Sequence, residues 1–159
     1  MVQFLNEKEI LTMQNYVKYV CNYLLKMKLI PVKFISKKKM EEMAGTMTEA
    51  CYIPQKNTIF MIKKSVYDMK DYCVLAHELR HAWQEKTNPE YYNNKDSGNL
   101  SEHEYNIQKG EIDANAFATI AIAIAFGKVT RRNYNKDKIA QAIYDERLEE
   151  LKEEYEIEF

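Results

Sequence analysis

Apolar residues Ile10, Leu11, Met13, Val17, Val20, Cys21, Leu24 and Leu25 recur at helical spacing, so residues 6–28 are predicted as an amphipathic helix that Pro31 ends. The period then changes. Residues 32–35 read as a short strand, and residues 57–62 (NTIFMI), after the turn around Pro54, as a second. Between them the basic run Lys37, Lys38, Lys39 reads as a solvated turn or a helix start. The N-terminal part thus predicts one helix and a small sheet, antiparallel or mixed.

From residue 68 the pattern is helical almost to the end. Residues 68–86 (DMKDYCVLAHELRHAWQEK) carry acids in the first turn and a lysine at the end, which suits the helix dipole, and Asn88-Pro89 stops them. Residues 87–99 form a polar loop with two tyrosines, a natural place for substrate contacts or a lid. Ser101 with Glu104 three residues on reads as a capping box, with Leu100 and Tyr105 placed as a hydrophobic staple. The helix it opens is predicted to run towards Gly127, with an interruption near Gly110. Its second half, AFATIAIAIAF, is apolar all round and belongs in the interior. A last helix, residues 137–155, offers Ile139, Ala142, Ile143, Leu148 and Leu151 as its apolar positions. The expected fold is α+β: one domain, residues 1–159, with a small sheet packed on helix 68–86 and a mostly helical C-terminal half.

Composition narrows the class. Four glycines and three prolines exclude collagen-like, linker-like and turn-rich all-β chains. A net charge of −1 supplies no overall field for nucleic acid, so no nucleic-acid partner is expected. No apolar run reaches the roughly 18–20 residues a bilayer span needs, so no membrane partner is expected either. Glu7 and Glu9 near the start, with no apolar signal core after them, argue against secretion. Cys21, Cys51 and Cys73 are odd in number and widely spaced, and are expected as reduced, mostly buried thiols of a cytoplasmic protein. Lysine outnumbers arginine, and Asn, Ile and Tyr are plentiful, a usage that accompanies AT-rich coding DNA in low-GC bacteria and their phages and mobile elements. Charge is uneven: residues 1–40 hold eight lysines against two glutamates, and residues 145–159 hold eight acids against two bases.

The chemistry lies in Ala76-His77-Glu78-Leu79-Arg80-His81, an H-E-x-x-H motif that uses two of the three histidines. On a helix, positions i and i+4 lie on one face about 6 Å apart along the axis. His77 and His81 can therefore close on one metal ion, and Glu78, rotated about 100° from His77, can flank it as a general base. A catalytic zinc needs a third protein ligand. His103, Glu104, Glu111 and Asp113 are the downstream candidates. Glu111 places a carboxylate early in the buried helix, where small residues let that helix approach closely. His103 sits inside the capping box, and a three-histidine site is also good chemistry for zinc. Asn115, one turn on from Glu111, is placed to orient a ligand histidine. No H-E-x-x-H-x-x-G-x-x-H extension follows His81, which excludes a metzincin.

HELRHAWQ, followed about thirty residues later by EIDANAFA, resembles the gluzincin pattern H-E-x-x-H…E. It is most similar to the compact versions, the minigluzincins and the ImmA/IrrE-type metallopeptidases. The resemblance implies a minimal zincin-like fold, with His77, His81 and Glu111 as ligands of one Zn2+ and Glu78 as the catalytic base. It also implies that Asn115 supports a ligand histidine. Arg80 stands where these families often have glycine. That puts a long cation near the site, to bind a substrate carboxylate or phosphate or to point to solvent. For stabilising the developing oxyanion, Tyr105 and His103 lie nearest the second motif, with Tyr91, Tyr92, Tyr134 and Tyr144 as further candidates.

The expected function is a zinc metalloendopeptidase acting on a protein or peptide. The alternatives are a selective regulatory protease of a mobile element and a latent, metal-bound interaction module. A DNA-associated protease lacks the basic, aromatic-interleaved segment it would need.

Overall fold

A computed structural model describes residues 13–92 and 99–159 of the chain. Helix α1 (Met13–Tyr19) runs into a π-helical turn, Val20–Leu24. The predicted helix 6–28 is therefore shorter at its C-terminal end, because Lys26 turns into the left-handed region (φ 49°) and the chain extends from there. Residues 6–12 of that prediction lie outside the described residues.

Strand β1 (Val32–Ile35) is followed by helix α2 (Lys37–Ala44). The basic run is thus a helix start, capped by the Ser36 side chain, which accepts from the Lys39 amide. Strand β2 (Ala50–Ile53) and strand β3 (Thr58–Ile62) are joined by a tight turn at Pro54–Lys56, with Asn57 in the left-handed region. The sheet has order β1-β3-β2, with β1 parallel and β2 antiparallel to β3. It is mixed, and β2 is an edge strand that the pattern of the chain did not predict. Central β3 buries Ile59 and Met61 almost completely.

Helix α3 (Met69–Thr87) starts as predicted. Asp68 caps it, and Asp71 returns the bond to the Asp68 amide. Helix α4 (Glu102–Asn106) has the predicted Ser101–Glu104 capping box. The interruption falls at Ile107 and Gln108, and helix α5 (Lys109–Phe126) ends at Gly127, which takes the left-handed conformation (φ 65°). Helix α6 (Lys138–Glu154) is capped by Asp137.

α5 is the axis of the molecule. Residues 116–125 are buried without a break, between α3 on one side and α6 on the other. Full burial of an isoleucine side chain stabilises by about 2–3 kcal/mol, and Ile120, Ile122 and Ile124 all contribute. α6 buries Leu148 and Leu151 as expected, but the first half of its inward face differs. Ala140, Tyr144, Leu148 and Leu151 are buried, whereas Ile139, Ala142 and Ile143 are exposed. Tyr144 sets this rotation. Its hydroxyl lies 2.7 Å from Thr119 Oγ1 on α5 and accepts from the Arg132 amide at 3.0 Å.

All three cysteines are free thiols. Cys21 is buried, and Cys51 and Cys73 are half-buried. Among the described residues, no helix is long and apolar enough to cross a membrane.

Candidate metal centre

α3 projects His77 and His81 to the same side, with their Nε2 atoms 2.9 Å apart. α5 brings Glu111 to the same point. One carboxylate oxygen lies 3.3 Å from His77 Nε2 and the other 3.2 Å from His81 Nε2. The donor atoms of the three residues all lie within 4.8 Å of one another. Gly110 permits this approach. A Cβ there would stand 2.1 Å from the Tyr91 carbonyl oxygen, so only glycine lets the chain after α3 lie against the start of α5.

Two amides set the direction of the imidazoles. Gln84 Nε2 donates to the Gly110 carbonyl at 3.0 Å and to Asp113 Oδ2 at 2.8 Å. Its Oε1 therefore faces His81 Nδ1, 2.8 Å away. Asn115 Nδ2 donates to the Tyr134 hydroxyl at 2.9 Å, and its Oδ1 faces His77 Nδ1 at 2.9 Å. An amide oxygen only accepts, so both Nδ1 atoms carry hydrogen, and each ring when neutral presents its Nε2 lone pair. Two lone pairs and a carboxylate aimed at one point repel each other unless a cation lies between them. The donor set, two imidazole nitrogens and one carboxylate with orienting partners behind them, fits a divalent metal.

The electrostatics agree. Burial works against a charge on His81, but Glu111 outweighs it and the imidazole is pushed up to about 9. Burial likewise favours a neutral Glu111, and the two histidines overcome it, holding the carboxyl far below its ordinary range. A cation in this cluster, proton or metal, is strongly favoured.

Glu78 stands beside the triad and outside it. One of its carboxylate oxygens accepts from the Tyr52 amide of β2 at 2.8 Å, which ties the edge strand to the motif. Tyr105 lines the same cleft. Burial and the neighbouring Glu111 carboxylate hold its hydroxyl well above its ordinary value. The cleft has a volume of about 570 Å³, and His77, Glu78, Glu111 and Asn115 form part of its wall.

Four of the candidate residues lie elsewhere. Arg80 neither faces solvent nor enters the cleft; it is 1% exposed. Its Nε and one terminal nitrogen donate to Asp113 at 2.8 and 3.1 Å, and its guanidinium lies between the Trp83 ring (3.9 Å) and the Phe117 ring (4.9 Å). Asp113 lies outside the triad. It accepts from Arg80, from Gln84 and from Arg147 of α6, whose Nε and terminal nitrogen lie 2.9 and 2.8 Å away. His103 is half exposed and pairs with Asp137 at 2.9 Å, away from the triad. Glu104 is taken up by the cap of α4.

The pattern of the chain missed Gln84, the Tyr52 amide and the role of Tyr134. For Gln84 a signal existed: it lies three residues after His81 on the same helix face. The other two depend on contacts across the fold.

Compared with protein-family models, with curated proteins and with solved structures, the chain matches none of them.

Proposed function

We propose that this chain is a zinc metallopeptidase of the minimal zincin type, hydrolysing peptide bonds of a protein or peptide substrate in the cytoplasm. The observation that carries this reading is the convergence of His77, His81 and Glu111 on one point, with the Glu78 carboxylate beside it and a cleft in front. His77, His81 and Glu111 would hold the ion, and Gln84 and Asn115 keep the imidazoles in the ligating tautomer. Zinc bound there supplies a Lewis acid that makes water nucleophilic at neutral pH and polarises the scissile carbonyl.

Glu78 takes the proton from the attacking water and returns it to the leaving amine. The Tyr52 amide holds one oxygen of Glu78, which fixes the plane of the carboxylate. Tyr105 is the cleft hydroxyl best placed to donate to the carbonyl oxygen as charge develops on it. β2 is the outer strand of the sheet, and Glu49 and Ala50 lie on the cleft wall. An extended peptide can add to this edge through main-chain hydrogen bonds.

The test is zinc content and peptide cleavage of protein purified without chelators. The wild type and Glu78→Gln should each carry about one zinc, with cleavage only in the wild type. Glu111→Ala should lose the metal. Full cleavage by Glu78→Gln, or a metal-free wild type after reconstitution, would overturn the proposal.

A further inference from the structure

The chain holds 19 lysines and only four arginines, and all four arginines gather around this site. Arg80 and Arg147 are engaged by Asp113, and Arg147 also pairs with Glu150. Arg131 and Arg132, on the segment between α5 and α6, line the cleft together with His77, Glu78 and Glu111. Among the described residues neither has a carboxylate at ion-pair distance, and both are exposed.

The acids of the cleft are already committed. Glu49 faces Lys70 at 3.5 Å and Lys64 at 4.0 Å, Glu111 belongs to the triad, and Glu78 accepts from the Tyr52 amide. The wall formed by Arg131 and Arg132 is therefore positive, and none of these acids lies at ion-pair distance from it. It is also anchored. The Arg132 amide donates to the Tyr144 hydroxyl at 3.0 Å, and the Arg132 carbonyl accepts from Gln141 at 3.3 Å. The guanidinium of Arg132 lies 5.7 Å from the centre of the Tyr134 ring, and that of Arg131 5.8 Å from the Phe159 ring, both within cation–π reach. Such a contact engages no N–H donor, so the fork of each guanidinium stays available to a planar, two-oxygen acceptor. The Tyr134 hydroxyl in turn holds Asn115, which holds His77. Arg132 is thus one ring and one amide away from a metal ligand.

We propose that Arg131 and Arg132 make the cleft select a substrate that carries a carboxylate within a few residues of the scissile bond. This rests on the peptidase reading and adds a substrate class to it. The carboxylate comes from an Asp or Glu side chain or from a free C-terminus. A neutral peptide leaves both guanidinium edges to water. An acidic one forms a charge-assisted, bidentate pair, which is expected to give up to about tenfold selectivity.

The experiment uses one quenched peptide scaffold in matched pairs. Glu replaces Gln at each of three positions on either side of the bond, and a free-acid C-terminus replaces an amide. Cleavage is followed with wild type, Arg132→Gln and Arg131→Gln/Arg132→Gln. Binding of the same peptides to the zinc-loaded Glu78→Gln variant is followed by fluorescence anisotropy. Both arginines are exposed, so the variants should fold, which circular dichroism checks. The expected result is an acid-over-neutral ratio of about tenfold in kcat/KM and in binding, falling towards one in the double variant. A ratio confined to the Glu pairs identifies a side-chain carboxylate, and one confined to the free acid identifies a chain terminus. A ratio near one in the wild type, a ratio unchanged by the substitutions, or no binding of any peptide overturns the inference. Selective binding of acidic peptides with no cleavage by the wild type supports the inference and overturns the peptidase reading instead.

Discussion

Gln84 holds His81 by the nitrogen that faces away from the metal point: its Oε1 lies 2.8 Å from His81 Nδ1. The same amide donates to Asp113, which Arg80 and Arg147 also hold, so the residue that steers His81 is anchored on a carboxylate gripped from three sides.

Gln84→Leu should therefore weaken metal binding while leaving all three ligands in place. The expected loss is about 10–100-fold in zinc affinity, the usual range when the outer partner of a ligand is removed. Competition with a chromophoric chelator measures it, with circular dichroism to show an intact fold. A folded variant with wild-type affinity would refute the steering role.

On His77 the chain of support is longer and the effects should be graded. Asn115→Ala removes the acceptor of His77 Nδ1 and should cost more affinity than Tyr134→Phe, which removes only the hydroxyl that holds Asn115. The reverse order in the same titration would contradict the arrangement.

Arg80→Met should destabilise the chain by about 3–5 kcal/mol, because it leaves part of a buried carboxylate without its partner. The double variant Arg80→Met/Asp113→Leu should cost less than the sum of the two single ones. Urea unfolding of the cycle gives the coupling directly, and strict additivity would show that the pair does not act as a unit.

The same carboxylate sets an acid dependence. Burial would raise the Asp113 carboxyl, but Arg80, Gln84 and Arg147 outweigh it and hold it below its ordinary value. A group depressed in the folded state contributes stability that is complete above its unfolded value. That stability is lost as pH falls through the folded value. Asp113→Asn should accordingly be less stable than the wild type at pH 7, with the gap narrowing below about pH 4. Melting temperatures of the two proteins between pH 7 and pH 2.5 test this; a constant gap would count against it.

Gly110→Ala should destabilise strongly, by about 1–3 kcal/mol or more, since its methyl would meet the Tyr91 carbonyl oxygen at 2.1 Å. Gly45 offers a contrast. It has open space around it, but its φ of 97° strains any side chain, so Gly45→Ala tests backbone strain alone. Thermal melts separate the two, and metal affinity should fall only in Gly110→Ala.

Local rules made the motif helix readable in advance. Asp68 and Asn88 bound α3, Ser101 and Glu104 box α4, and the i, i+4 histidines need nothing beyond helical geometry. Glu111 was legible among four candidates because it opens a helix whose small residues permit close approach, and because EIDANAFA resembles the second gluzincin motif. What stayed hidden depends on partners far along the chain. Arg80 reads as a surface cation until Asp113, 33 residues on, closes over it. β2 is four residues long and takes its identity from pairing with β3. The inward face of α6 is decided by the Tyr144 hydroxyl meeting Thr119, and not by the isoleucines that dominate its hydrophobicity.

The bond from Arg147 to Asp113 also orders events in time. A ribosome that has released the chain through α5 has already exposed His77, His81 and Glu111, yet one of the two guanidinium partners of Asp113 is still to be made. Domains complete their packing as synthesis delivers the missing elements, at about 5–20 residues per second. The triad is complete in sequence before its support is, because that support closes only when α6 docks on α5. Until α6 docks, the carboxylate behind Gln84 lacks one of its two arginines, so the support behind His81 is complete only once that helix is in place.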